Sequence, residues 1–302
     1  MPREERRRGD RDARDGHDRS RGEEEELRQM RVGLVGVGLM GAPIARHVMA
    51  AGFELACYDV DESALAAAAK EGARIARTPA ELSAGADLVL VIVPTDEDVL
   101  EVCIGENGLL GSAPSGCVVA ICSSVKPVTC SRVGAEGAVR GIDVLDVALT
   151  RGTRGAEAGD LTLLCGGNAA ALERARAVLE TFSGAIHHLG ELGAGQAGKT
   201  VNNLIHWAEI AAITEALVLG WRMGLRVSSL REALESASVD SETLREIHLM
   251  PMRWPEKDLS NALAVASELD QELPVAAVVR DAMKGISHER VVRLLDDEGW
   301  EA

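Results

Sequence analysis

The stretch "RVGLVGVGLMGAPIARHVMAAGFELACYDV", residues 31–60, constrains this chain more than any other. An apolar run leads into Gly36, Gly38 and Gly41, spaced G-x-G-x-x-G. A helically spaced segment follows and stops at Gly52, and a second apolar run ends at Asp59. Strand, glycine turn, helix and strand in that order begin a βαβ unit. Glycine at 36 permits the tight turn, glycine at 38 lets backbone reach a pyrophosphate, and glycine at 41 lets helix and strand pack closely. The helix N-terminus then faces phosphate charge. Leu39 and Met40 fill the positions between the last two glycines. Asp59 stands about 20 residues on, where an acid bonds the ribose hydroxyls of a dinucleotide. A carboxylate there accepts from both hydroxyls of NAD and repels the extra phosphate of NADP. NAD is therefore the favoured cofactor and NADP the alternative.

The alternation continues. "LVLVIVP" (88–94), "CVVAICSS" (117–124), "IDVLDVAL", "LTLLCGG" and "AIHHLG" read as strands. "DESALAAAAKEG", with Asp61 as N-cap, "TDEDVLEVCI", "KPVTCSRVGAEGAV" and "NAAALERARAVLETFSG" read as helices. Such alternation predicts a doubly wound, mainly parallel sheet covered on both faces, of Rossmann type.

Beyond about residue 194 the pattern changes. "AGKTVNNLIHWAEIAAITEALVLGWRMG" is a long helix, apolar nearly all round, as a helix buried between partners would be. Five helical segments follow, up to "SHERVVRLLDDEG", and no strand is expected after residue 200. The plan is a dinucleotide-binding α/β domain over 31–192 and an all-helical domain over 193–302, entered by a long interdomain helix. The second domain is expected to serve substrate binding and oligomerisation. So much apolar helix surface implies a homodimer or homotetramer. Residues 1–30 mix charges of both signs with almost nothing to bury, and are expected to form a disordered tail without the apolar core of a signal peptide.

Composition narrows the function. Net charge is -16 and aromatics make up 2%. That argues against phosphate-backbone binding and base stacking, so no nucleic-acid partner is expected. No apolar run of about 18 residues stands out, so no membrane span is expected. The six cysteines, Cys57, Cys103, Cys117, Cys122, Cys130 and Cys165, form no C-x-x-C pair and lie mostly in apolar runs. Buried, reduced thiols of a cytoplasmic protein are expected, and no metal site. His187 and His188 are adjacent on a strand and point to opposite faces.

"GAGQAGKT", residues 193–200, fits the phosphate-binding pattern G-x-x-x-x-G-K-[ST] letter for letter. A P-loop lysine needs a parallel sheet built after it, with an acidic strand end for magnesium. Here the sheet lies before the motif and helices follow. The phosphate-clamp reading is rejected. Lys199 and Asn203 are four apart, so a helix puts them on one face, with Asn202 about 100° away.

Four segments in this order resemble the β-hydroxyacid dehydrogenase family, which includes 3-hydroxyisobutyrate dehydrogenases and tartronate semialdehyde reductases. "GLVGVGLMGAPIA" looks like its cofactor signature, "DVALTRGTRGAEAGDLTLLCGG" is similar to its substrate loop, "GAGQAGKTVNN" matches its catalytic G-x-G-x-x-x-K-x-x-x-N, and "KDLSNAL" matches its second-domain K-D-L. The resemblance implies an NAD(P)-dependent oxidoreductase acting on a small acidic β-hydroxy acid or semialdehyde. It implies Lys199 as general acid/base, with a pKa lowered by burial, and Asn203 as holder of the substrate oxygen or orienter of the lysine. By the same resemblance Pro94, Thr95, Ser124 and Lys257 line the cofactor, and Ser123, Thr150, Arg151, Gly152 and Asn203 contact substrate.

The substrate loop departs from the family. Thr150-Arg151-Gly152 stands where Ser-Gly-Gly is commonest, and Ala148 replaces a proline. An arginine at 151 can hold a carboxylate or another oxyanion as a bidentate fork, or it can point to solvent. Two rivals share the architecture: an imine reductase-like enzyme, which usually lacks the lysine, and a dinucleotide-binding scaffold or sensor without turnover.

Overall fold

The computed structural model describes residues 30–300. The charged stretch read as a disordered tail lies outside them, apart from Met30. The chain divides into two compact units, with the boundary between Lys199 and Thr200.

The first unit is built on one eight-stranded sheet, β1 (Arg31–Val35), β2 (Glu54–Tyr58), β3 (Arg74–Ile75), β4 (Leu88–Val91), β5 (Val118–Ile121), β6 (Asp143–Thr150), β7 (Leu161–Gly166) and β8 (Ser183–Gly190). Their order is β3-β2-β1-β4-β5-β6-β7-β8. Every pairing is parallel except β6 with β7. Only Arg151–Asp160 connects those two, which is too short for a parallel crossover. The helices of this unit are α1 (Gly41–Ala50), α2 (Glu62–Lys70), α3 (Pro79–Ser83), α4 (Asp96–Ile104), α5 (Pro127–Ala138), α6 (Gly152–Ala158) and α7 (Ala169–Leu179). Asp61 caps α2 as expected, its side chain accepting from the Ser63 N–H at 2.8 Å.

The strands β1, β2, β4, β5 and β6 each feed two cores, because successive side chains point to opposite faces. On β4, Leu88 and Leu90 join one cluster with Leu34, Ile44, Leu145 and Phe182. Val89 and Val91 join the other, with Val35, Val119 and Ile121. Apolar runs without polar alternation are what two covered faces demand. Three elements escaped the sequence reading. The two-residue β3 and five-residue α3 are too short to show a period. The α6 segment contains two glycines and reads as loop.

The second unit is helical, with no strand among its described residues. The helix α8 (Ala194–Arg222) runs into it from the first unit. Then follow α9 (Val227–Glu235), α10 (Glu242–Glu246), α11 (Pro255–Glu268), α12 (Pro274–Met283) and α13 (His288–Leu295). Trp207, Ile210 and Leu217 of α8 pack in one core with Val227, Ile247, Leu259, Val291 and Leu294.

The expectation that no segment spans a membrane meets one long apolar helix. By length and composition α8 could cross a membrane, with mean hydropathy 1.3 over 18 residues. Scattered polar residues such as Asn203, His206 and Glu209 interrupt the run in the sequence, so no continuous apolar stretch stands out. A single helix of this kind also suits the centre of a helical core, where Trp207, Ile210 and Leu217 stand.

Candidate active site

The strand order reverses between β1 and β4, since β1 has β2 on one side and β4 on the other. The crevice outside the strand ends at such a switch point is where open α/β sheets take ligands. Gly36, Gly38, Leu39, Met40 and Gly41 follow β1, Asp59 follows β2, Pro94 and Thr95 follow β4, and Ser123 and Ser124 follow β5. All therefore lie at the carboxyl ends of parallel strands.

The three glycines are distinguishable in the structure. Gly36 has φ +90°, and a Cβ there would come within 2.0 Å of the Ile92 carbonyl oxygen. A Cβ on Gly41 would meet the Gly36 carbonyl oxygen at 1.8 Å. These two are required by the fold itself. A Cβ on Gly38 would meet nothing within 4 Å. The protein's own packing does not demand glycine at 38, whereas a phosphate group approaching the backbone does. The residues present thus fit a bound dinucleotide.

Asp59 stiffens the same loop. Its Oδ2 accepts from the Val37 N–H at 2.7 Å and its Oδ1 from the Asp61 N–H at 2.9 Å. Thr95 is the N-cap of α4 and forms a reciprocal capping box with Asp98, so its hydroxyl already has a local task. The Ser123 hydroxyl is buried, accepting from the Val93 N–H at 2.8 Å and donating to the Val91 carbonyl at 3.3 Å. Ser124 is exposed.

The start of α8 disposes of the P-loop likeness. Its N-terminal N–H groups, where a phosphate would sit, meet the protein's own carboxylate. Asp146 on β6, fully buried, accepts from the Gly193 N–H and the Gln196 N–H, each at 2.7 Å. Burial pushes the Asp146 carboxyl above its ordinary pKa, against the opposing pull of those backbone N–H groups. Lys199, part-buried in the next turn of α8, donates from Nζ to the Leu149 carbonyl oxygen at 2.7 Å. One strand thus grips the helix twice, at residues 146 and 149. Three strand residues span about 10 Å and three helical residues about 4.5 Å, and the lysine side chain bridges the difference.

Thr150, the next strand residue, is buried, and its hydroxyl donates to the Thr162 carbonyl at 2.9 Å. Arg151 then turns left-handed, with φ +73° and ψ +8°, and Gly152 follows at φ +59°. This is the conformation for which glycine is the ordinary residue. The Arg151 guanidinium pairs with Asp160 at 2.5 Å, both groups being largely exposed.

Asn203 lies one turn beyond Lys199 along α8. In the second unit the Asn203 amide donates to Asp258 Oδ2 at 3.0 Å, and the Trp207 indole N–H donates to the same oxygen at 3.0 Å. Lys257 is exposed on the first turn of α11. Sequence reasoning had not singled out Asp146 or Gln196. Both lie inside the quoted motifs, and their only local signal was a polar residue amid apolar neighbours.

Residues 31–190 match the family described as the NAD binding domain of 6-phosphogluconate dehydrogenase. Residues 193–294 match that described as NAD-binding of NADP-dependent 3-hydroxyisobutyrate dehydrogenase. The chain is 32% identical to the 2-(hydroxymethyl)glutarate dehydrogenase of Eubacterium barkeri, over 85% of this chain and 89% of that one.

The chain belongs to the β-hydroxyacid dehydrogenase family.

Family membership makes it an NAD(P)-dependent oxidoreductase with an NAD(P)-binding domain. It is also 35% identical to an NAD-dependent L-serine dehydrogenase of Pseudomonas aeruginosa, over 68% of this chain and 70% of that one. Among solved structures, the Mycobacterium tuberculosis 3-hydroxyisobutyrate dehydrogenase with L-serine aligns with TM-score 0.79 at 26% identity, covering 88% of this chain and 99% of that one. A Streptomyces aurantiacus imine reductase aligns with TM-score 0.61 at 20% identity, a likeness of fold alone.

Proposed function

We propose that this dehydrogenase interconverts the alcohol of a small β-hydroxy acid and the matching semialdehyde, with Lys199 as general acid/base. The observation that carries the reading is the placement of the Lys199 ammonium on the Leu149 carbonyl. That fixes the only side-chain cation of the G-x-G-x-x-x-K turn at the strand end that leads into Thr150-Arg151-Gly152. The relatives' names fit, since L-serine, 3-hydroxyisobutyrate and 2-(hydroxymethyl)glutarate are all acids bearing a hydroxymethyl group.

When bound, the nicotinamide supplies the hydride acceptor or donor. Lys199 receives the hydroxyl proton, directly or through water, during oxidation, and returns it during reduction. In the reductive direction its ammonium also stabilises charge developing on the aldehyde oxygen. Asn203, one turn on, holds the substrate oxygen. The Gly36–Gly41 loop holds pyrophosphate, with Leu39 and Met40 beside it. Pro94, Thr95, Ser124 and Lys257 line the remaining cofactor surface, and Ser123, Thr150, Arg151 and Gly152 face the substrate. NAD is preferred over NADP, because a second negative group near Asp59 costs about 1–4 kcal/mol at contact distance.

Residues 31–192 form the cofactor domain, and 193–302 the domain for substrate and self-association. Val201, Ile205, Leu219 and Met223 leave an exposed apolar stripe along and just beyond α8, which supports a homodimer or homotetramer. Buried free thiols suit the cytoplasm.

A screen of short β-hydroxy acids and semialdehydes against NAD(H) and NADP(H), read at the nicotinamide absorbance, tests the reading. Turnover with NAD that disappears in Lys199→Ala supports it. Reduction of cyclic imines alone, or tight NAD binding without turnover of any acid, overturns it in favour of the two rivals.

A further inference from the structure

The side chain of Gln196 has no part in the mechanism above, yet it is 2% exposed and spans two elements. Its Nε2 donates to the Ser123 carbonyl at 2.8 Å, and its Oε1 accepts from the Val125 N–H at 3.2 Å. Both loop residues are buried, so their backbone groups need partners inside the protein. The Ser123 hydroxyl in turn holds the Val93 N–H after β4. Through its own backbone Gln196 binds Asp146, and three residues later Lys199 binds Leu149. A single hydrogen-bonded unit therefore joins the exits of β4, β5 and β6 to one turn of α8.

We infer that Gln196 is a positioning residue. Its amide fixes the turn Ser123–Lys126 to the helical turn that carries Lys199, and so sets the separation between the lysine and the cofactor-side strand ends. The inference rests on the proposed role of Lys199 for its kinetic consequence but not for its structural one. A Gln amide is suited to this because it offers a donor and an acceptor on one flat group. Methionine matches its length and offers neither. Glutamate keeps the acceptor for Val125 but sets a carboxylate against the Ser123 carbonyl until it is protonated.

The experiment compares Gln196→Met and Gln196→Glu with the wild type. In the cofactor-free protein, the amides of residues 123–126 in Gln196→Met should exchange hydrogen about tenfold faster, with other sheet amides unchanged. Emission from NADH at saturation should fall, because the nicotinamide side of the groove is looser, while the NADH Kd stays within about threefold, since the adenosine half is untouched. On the best acid, kcat should drop about 10- to 100-fold with little change in KM, as expected of a small misplacement. The Gln196→Glu to wild-type ratio of kcat should rise as pH falls, because protonation restores a donor toward Ser123.

Unchanged exchange and emission would overturn the inference. Faster exchange with kcat within about twofold and a flat Gln196→Glu ratio would also overturn it, leaving Gln196 a structural brace. If the wild type turns over no hydroxy acid, the functional proposal fails by itself, and exchange and emission still decide the role of Gln196.

Discussion

The Nζ of Lys199 donates to the carbonyl oxygen of Leu149 at 2.7 Å, joining the first turns of the long helix to the end of the longest central strand. The Leu149 carbonyl is a neutral acceptor, so this contact leaves the ammonium its charge. Lys199→Ala should lower kcat/KM about 100- to 10,000-fold with little change in NAD affinity. Lys199→Arg should fail similarly, because a guanidinium does not give up its proton in the working range. Steady-state kinetics beside NAD titration checks both. Near-wild-type activity in either variant would remove Lys199 as the acid/base.

Arg151 occupies a left-handed position at the start of α6. Arg151→Ala and Arg151→Gly both remove the Asp160 ion pair and differ only in the Cβ. The glycine variant should be the more stable by about 1 kcal/mol, visible in denaturant unfolding. Both should raise KM for the best acidic substrate about tenfold if the guanidinium binds its carboxylate. Asp160→Asn should lower KM, since the competing charge is gone. Unchanged KM in all three would rule out recognition by Arg151.

The six cysteines are buried and free. Burial pushes the thiols of Cys57, Cys103, Cys117 and Cys165 up to about 12, and raises those of Cys122 and Cys130 as well. Raising a thiol pKa removes the reactive thiolate at neutral pH. A disulfide reagent should titrate less than one thiol in the native protein within minutes at about pH 8, and all six after denaturation. Rapid reaction of the native protein would contradict the burial.

Asp146 carries a pH signature of definite sign. Its carboxyl holds a proton more tightly in the folded chain than in the unfolded one, because burial outweighs its backbone donors. The folded state therefore binds more protons in that window, and stability falls as pH rises from below the ordinary carboxylate pKa through the raised folded value. Asn at this position has no such dependence. The stability advantage of wild type over Asp146→Asn should narrow as pH rises through that range, measured by denaturant unfolding at several pH values. A widening gap would show that the N–H donors of α8 outweigh the burial.

Much was legible beforehand because the signals were local. The G-x-G-x-x-G turn, the Asp61 cap and the strand-helix alternation each follow from neighbours within one element. That the described residues after 200 hold no strand follows in the same way from the helix formers of each segment. The two-residue β3 gave no signal, since its pairing partner lies at Ala56 and Cys57 on another strand. Ser123, Thr95 and Thr150 were assigned to ligands by resemblance, and the structure gives each hydroxyl a partner within the protein as well.

The sequence by itself determined the class of fold, the dinucleotide loop and the spacing of Lys199 from Asn203 on one helix face, because periodicity and motif spacing are properties of the chain. It also rejected the phosphate-clamp reading of "GAGQAGKT", since the sheet lies before the motif and helices follow. The tertiary structure decided what meets that helix start instead, by bringing Asp146, 47 residues away, onto the Gly193 N–H. A buried carboxylate at a helix start takes the place a phosphate would need. That partner was invisible in the sequence because it depends on which strand lies beside the helix, and that is fixed only when the sheet has formed.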